Sequence, residues 1–177
     1  MRRTACLLAA ALAIGSFAPA SAQDTKPEPP KKLAGGVYAV LRDGPKEADV
    51  LPLKAGESLV VHRHRYLKAG DKEPPRYLVV GPTPDVELDL AGPPKADKDG
   101  DDVVRILLKL QPKAATALER LTADRKGGQV AIVLGGEVVT THKVREAIKG
   151  GEVQITSCAA GAAKYLLEQL QALQKTK

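Results

Sequence analysis

The stretch from Gln129 to Thr156, QVAIVLGGEVVTTHKVREAIKGGEVQIT, leaves this chain few choices of local fold. It opens with the apolar run Val130, Ala131, Ile132, Val133 and Leu134. Gly135-Gly136 follows, then the β-branched run Val138, Val139, Thr140 and Thr141. Two such runs joined by two glycines predict a β-hairpin, because glycine accepts the positive φ angles of a tight primed turn. Ile132 and Val133 should then pair with Val138 and Val139. A short helix or turn is expected at His142–Lys149, carrying Lys143, Val144, Arg145 and Glu146. A second turn at Gly150-Gly151 leads to a strand at Glu152–Thr156.

The start of the chain speaks to compartment. Arg2 and Arg3 form a basic opening, Ala5–Ala13 a short apolar stretch, and Ala20-Ser21-Ala22 a small-residue cleavage site. Residues 1–22 therefore read as a cleaved signal peptide and imply a periplasmic or secreted protein. The apolar stretch is short for a membrane span, and no spanning segment is expected after cleavage. Loss of the two arginines takes the formal charge from +6 to +4. So mild a charge is not the footprint of a nucleic-acid binder. Cys158 is then the sole cysteine, which excludes an intrachain disulfide and suggests a buried thiol.

Residues 23–33 are Pro-rich and charged, and predict a solvated linker. Residues 34–92 read as a β-rich segment with strands at Val37–Leu41, Ser58–Leu67, Tyr77–Val80 and Val86–Leu90. Gly92–Asp102 carries no apolar run and reads as a loop. From 102 to 177 the pattern alternates. Val104, Ile106, Leu108 and Leu110 share one face of a strand. Pro112 suits a first helical turn, where its missing N–H is no loss. That helix runs to about Asp124 with Ala115, Leu118 and Leu121 as its apolar stripe, and Gly127-Gly128 ends it. A last helix, Ala160–Gln174, carries Ala163, Leu166, Leu167, Leu170 and Leu173 at helical spacing. The fold class expected is α+β: an antiparallel or mixed sheet with helices on one face, preceded by the β-rich segment.

The hairpin, the V-R-E segment at Val144–Glu146, the Gly150-Gly151 pair and the Gln154-Ile155 strand resemble, in this order, the periplasmic head of the SecD protein-export subunit. The likeness extends to the strand and helix of VVRILLKLQPKAATALERL (Val103–Leu121) and to the Leu-rich last helix, covering about Val103–Leu173. Gly135 stands where that family usually has Asp, and Thr156-Ser157-Cys158-Ala159-Ala160 lacks its Thr-x-x-Glu signal. The chain ends four residues after Leu173, where the family continues into transmembrane helices. The resemblance therefore implies a head-like, stand-alone exported domain without the membrane-embedded motor.

Candidate chemistry is sparse. His62 and His64 lie two apart on an expected strand, so both rings should point one way as a possible metal pair. Zinc needs three or four protein ligands, and His142 is distant in sequence. Asp97–Asp102 opens like a calcium loop, yet Asp102 replaces the required glycine and Leu108 the required glutamate. No catalytic residue, cofactor or metal is expected. The function expected is a non-enzymatic interaction domain that contacts exported polypeptides or a membrane export complex. Arg63, Arg65, Lys143, Arg145 and Glu146 are its candidate binding residues. A small metal-dependent extracytoplasmic enzyme or binding protein using His62/His64 or Asp97–Asp102 is the alternative.

Overall fold

The apolar run of Gln129–Leu134 has no polar alternation because this strand is buried on both faces, as such runs are in layered sheets. The structure, a computed structural model, describes residues 32–66, 73–98 and 103–175. In chain order the elements are β1 (Gly36–Val40), β2 (Arg42–Gly44), a 3-10 turn (Glu47–Asp49), β3 (Ser58–His62), β4 (Arg76–Val80), β5 (Val86–Glu87), β6 (Lys95–Lys98) and β7 (Val103–Lys109). Then come α1 (Pro112–Asp124), β8 (Gln129–Leu134), β9 (Glu137–Lys143), β10 (Glu152–Ala159) and α2 (Ala160–Lys175). The expected signal peptide, and most of the expected linker, lie outside the described residues.

The strands form three antiparallel sheets with orders β5-β1-β8-β9, β10-β7-β6 and β2-β4-β3. The fold is α+β, as the sequence pattern requires. β1 comes from the N-terminal β-rich segment, yet it is hydrogen-bonded along its length to β8, from Gly36↔Val133 to Val40↔Gln129. One chain run, β1 into β2, thus joins two of the sheets.

Two apolar clusters flank β8. Val130, Ile132 and Leu134 face the larger one, with Ile106, Leu108 and Leu110 at the β7 end, Val153 and Ile155 of β10, Leu118 of α1 and Leu166 and Leu170 of α2. Ala131 and Val133 face the smaller one, with Tyr38, Val40, Leu78, Val80 and Val138. Burying each Leu or Ile stabilises the fold by about 1.5–3 kcal/mol, so the larger cluster dominates. Tyr38 is fully buried in the smaller cluster and its hydroxyl donates to the Ala34 carbonyl at 2.9 Å. Beyond the short β5, the buried Ala39 N–H donates to the Asp85 carboxylate at 2.7 Å. A side chain there replaces the ladder partner that β5 is too short to supply.

Both helices serve the larger cluster. α1 follows the expected Pro112–Asp124, but its buried face runs through Ala114, Leu118 and Thr122, with Ala115 and Leu121 partly covered. α2 buries Ala163, Leu166 and Leu170 and lays Leu167 and Leu173 against the same cluster.

Four expectations are corrected. The third strand stops at His62, and His64 beyond it has φ 50°. Of the short helix or turn expected at His142–Lys149, no helix forms and the first two residues are strand: β9 runs on to Lys143, and Val144 is pinned by Val144 N–H to Gly128 O and Gly127 N–H to Val144 O. The Gly92–Asp102 loop contains β6, which pairs Lys95↔Leu107 through Lys98↔Val104. In the hairpin Val133 pairs Val138, but Ile132 pairs Thr140, and a bulge takes up Val139. A bulge of this kind cannot be read from a uniformly β-branched run.

Candidate functional site

The tail of β3 is tied by polar contacts to several distant elements. Arg65 reaches Glu137, the first residue of β9, at 2.9 Å. The Tyr66 hydroxyl donates to the same carboxylate at 3.1 Å. Its ring stacks on Tyr165 of α2 with centroids 6.2 Å apart, and its carbonyl accepts the Ala159 N–H at 2.9 Å. Residues 62–66 therefore touch β9, β10 and α2 at once. Burial, then the Glu137 hydrogen bond, push the Tyr66 phenol up to about 12. A phenol so held stays neutral and works as a structural donor.

His62 and His64 come together, but not as parallel neighbours on one strand. The turn at His64 folds its ring over His62, with centroids 3.9 Å apart and planes tilted 38°. Two ligands of one metal must aim their nitrogen lone pairs at a common point, and zinc needs a third or fourth protein ligand beside them. His64 Nδ1 is 3.5 Å from Glu73. His142 sits on β9, with its imidazole bonded to the backbone of Gln154. Among the described residues no group of three metal-ligating side chains assembles. Most of the Asp97–Asp102 loop lies outside the described residues; Asp97 itself is on β6, 3.5 Å from Arg105.

The five candidate binding residues do not form one patch. Arg63, Lys143, Arg145 and Glu146 are exposed, and Arg65 is committed to Glu137. Glu137 and Lys143 are the two ends of β9, about 20 Å of strand apart. The turn glycines all have positive φ: 59° and 84° at Gly135 and Gly136, 74° and 70° at Gly150 and Gly151.

The sequence did not single out the open face of the β10-β7-β6 sheet. A groove of about 430 Å³ lies there, lined by Pro93, Lys95, Leu107, Lys109, Glu152 and Gln154 among others. Leu107 is 40% exposed in it, and Lys109 pairs with Glu152 at 3.0 Å. The signal was present in the alternation of Arg105, Leu107 and Lys109 against buried Ile106 and Leu108: an apolar residue on the polar face of a strand. Among the described residues no helix is long and apolar enough to cross a membrane.

Comparison with known proteins bears on the same elements. Residues 87–173 match the family SecDF, P1 head subdomain. That match starts ahead of the Val103 boundary, at the last residue of β5, and takes in β6. Over 61 residues the chain is 43% identical to the protein translocase subunit SecD of Acidaminococcus fermentans, which covers 34% of this chain and 14% of that subunit. A solved structure of SecDF, described as a membrane component that enhances protein export, is 30% identical over 51% of this chain and 40% of its own, with a TM-score of 0.45. SecDF in a super-membrane-facing form is also 30% identical, over 51% of this chain and 12% of its own, with a TM-score of 0.44. The chain spans 14% of the length of the curated relative it matches. By the family match and the 43% identity, residues 87–173 are similar to the head subdomain of SecD.

Proposed function

We propose that this protein is an exported, extracytoplasmic interaction module that serves protein export without catalysing a reaction. The observation that carries this reading is the family match across 87–173, which takes in every element from β6 to nearly the end of α2. The signal-like Met1–Ala22 supports the compartment. The ligand is an exported polypeptide or a component of a membrane export complex, bound reversibly. Exposed Arg63 at one end of β9, and Lys143, Arg145 and Glu146 at the other, supply charges that steer such a partner. The groove around Leu107 supplies an apolar contact between them and the partner's side chains.

The test is binding of purified protein, starting at Gln23, to an unfolded exported polypeptide and to detergent-solubilised export complex. Affinity should fall as salt rises. Arg63→Glu and Lys143→Glu should each weaken it several-fold without changing the circular dichroism spectrum. Arg65→Glu is a poor probe, because it sets two carboxylates against each other at Glu137. Failure to bind either ligand at any salt concentration would sink the reading.

A further inference from the structure

β3, β9 and β10 are each the edge strand of a different sheet. β3 lies beside β9, yet among the described residues no ladder pairing joins them, nor β9 to β10. Unpaired strand edges bury backbone groups that need partners. A histidine meets that need at each seam. The His62 imidazole of β3 bonds the backbone of Val139 on β9. The His142 imidazole of β9 bonds the backbone of Gln154 on β10.

We propose that His62 and His142 are proton-sensitive fasteners: as neutral imidazoles they clip β9 to β3 and to β10, and proton uptake in acid favours states in which those seams are open. This inference does not depend on the proposed role in export.

Each ring has one nitrogen committed to the seam and the other sealed in. His62 Nδ1 and His142 Nε2 are buried with no hydrogen-bond partner. His62 is only 5% exposed. A second proton on either ring would sit on a buried N–H with nothing to receive it. Surrounding charges do not relieve this. From β4, Arg76 stands opposite His62 and is held by Asp43 of β2. His64 covers His62 and is itself faced by Glu73. On β9, Glu137 is taken by Arg65 and Tyr66. At the other seam, Lys143 adjoins His142 on β9, and Glu152 of β10 is taken by Lys109.

Burial, with the neighbouring His64 and Arg76, pushes His62 down to about 4, against the pull of the Val139 bond. Burial also holds His142 below the ordinary histidine range. The sign follows from linkage. Opened or unfolded chains bind the proton near the ordinary value of about 6.5, and the closed form does not. Stability is therefore full above pH 6.5, falls as the pH drops toward 4, and levels off below the closed-state value.

The experiment is urea unfolding of the intact protein across pH 4.5–7.5, for wild type, His62→Gln, His142→Gln and the double variant. Glutamine keeps an N–H donor and cannot titrate. For wild type the folding constant should fall on the order of 100-fold from pH 7 to 4.5 through His62 alone. The double variant should lose at least ten times less over the same range. Parallel curves for the double variant and wild type would overturn the proposal. If the variants fail to fold, NMR titration of the wild-type imidazoles decides: midpoints below 5.5 support it, and midpoints at or above 6.5 refute it. Amide exchange, corrected for intrinsic pH dependence, should lose protection first in β3, β9 and β10. Uniform loss across β7 and α1 as well would count against opening at the seams.

Discussion

Gly151 and Ala115 meet so closely that a Cβ on Gly151 would lie 2.4 Å from the Ala115 Cβ and 3.1 Å from its Cα. Gly151 leads into β10, and its carbonyl accepts the Leu110 N–H at 2.9 Å just before α1. The first turn of α1 therefore rests directly on the backbone that starts β10. That contact sets how the helix lies over the β10-β7-β6 sheet.

Gly151→Ala should accordingly be costly. The residue has φ 70°, which a side chain adopts at about 1–3 kcal/mol, and the overlap with Ala115 adds about 1–3 kcal/mol more. Gly150 has φ 74° but open space where its Cβ would stand, so Gly150→Ala should cost only the backbone share. In the double variant Ala115→Gly with Gly151→Ala, the overlap is removed and at least about 1 kcal/mol should return as coupling. Denaturant midpoints for wild type, Gly150→Ala, Gly151→Ala, Ala115→Gly and the double variant check the claim. Equal losses at Gly150 and Gly151 would refute it.

The hairpin turn yields a second prediction. Gly135 and Gly136 have φ 59° and 84°, the two left-handed positions of a type I′ turn. Replacing both by valine should destabilise the protein by about 1–3 kcal/mol per residue. Gly135→Asn should be nearly neutral, since asparagine tolerates this region, the far end of the flexible Gln169 side chain is the closest neighbour at 3.1 Å, and the Tyr165 hydroxyl lies at an ordinary 3.7 Å. Thermal unfolding of the valine pair at the wild-type temperature would argue against this turn geometry.

Much of this fold was legible because local chemistry and tertiary packing agree. Pro112 and Asp124 bound a helix whose start the proline fixes by its φ and whose end the following glycines fix. The Gly135-Gly136 turn and the strand alternation of Ile106 and Leu108 were equally plain. What escaped reading depends on distant partners. β6, KADK, is fully exposed and has no apolar signature; it is a strand only because β7 offers an edge. His142 extends β9 rather than opening a helix because Gln129 pairs with Lys143. The ring contact of His62 with His64 requires a positive φ at a non-glycine residue, which no periodicity announces. Arg65 reads as a free surface charge until Glu137, 72 positions along, is brought to it. Site chemistry was therefore less legible than fold, since it is built from such long-range pairs.

Thr122 is the residue whose role is most concealed by its type. A threonine on a helix usually marks a solvated position, yet this one is fully buried. Its hydroxyl donates to the Leu118 carbonyl at 2.7 Å and accepts the Ile148 N–H at 2.9 Å. The segment between β9 and β10 has no helix or strand of its own, so this bond is one of the few that hold it against α1. Thr122→Val preserves shape and removes the oxygen, leaving the Ile148 N–H without its acceptor. The expected loss is about 1–3 kcal/mol, since a half-buried donor is stranded while no volume changes. Thr122→Ser keeps the oxygen and gives up only a methyl group, at about 0.8 kcal/mol or somewhat more. Urea denaturation should therefore rank wild type above serine and serine above valine. Amide exchange at Ile148 should quicken in the valine variant alone. A valine variant as stable as wild type, with Ile148 still protected, would mean that water or another group serves that N–H and that Thr122 only fills space.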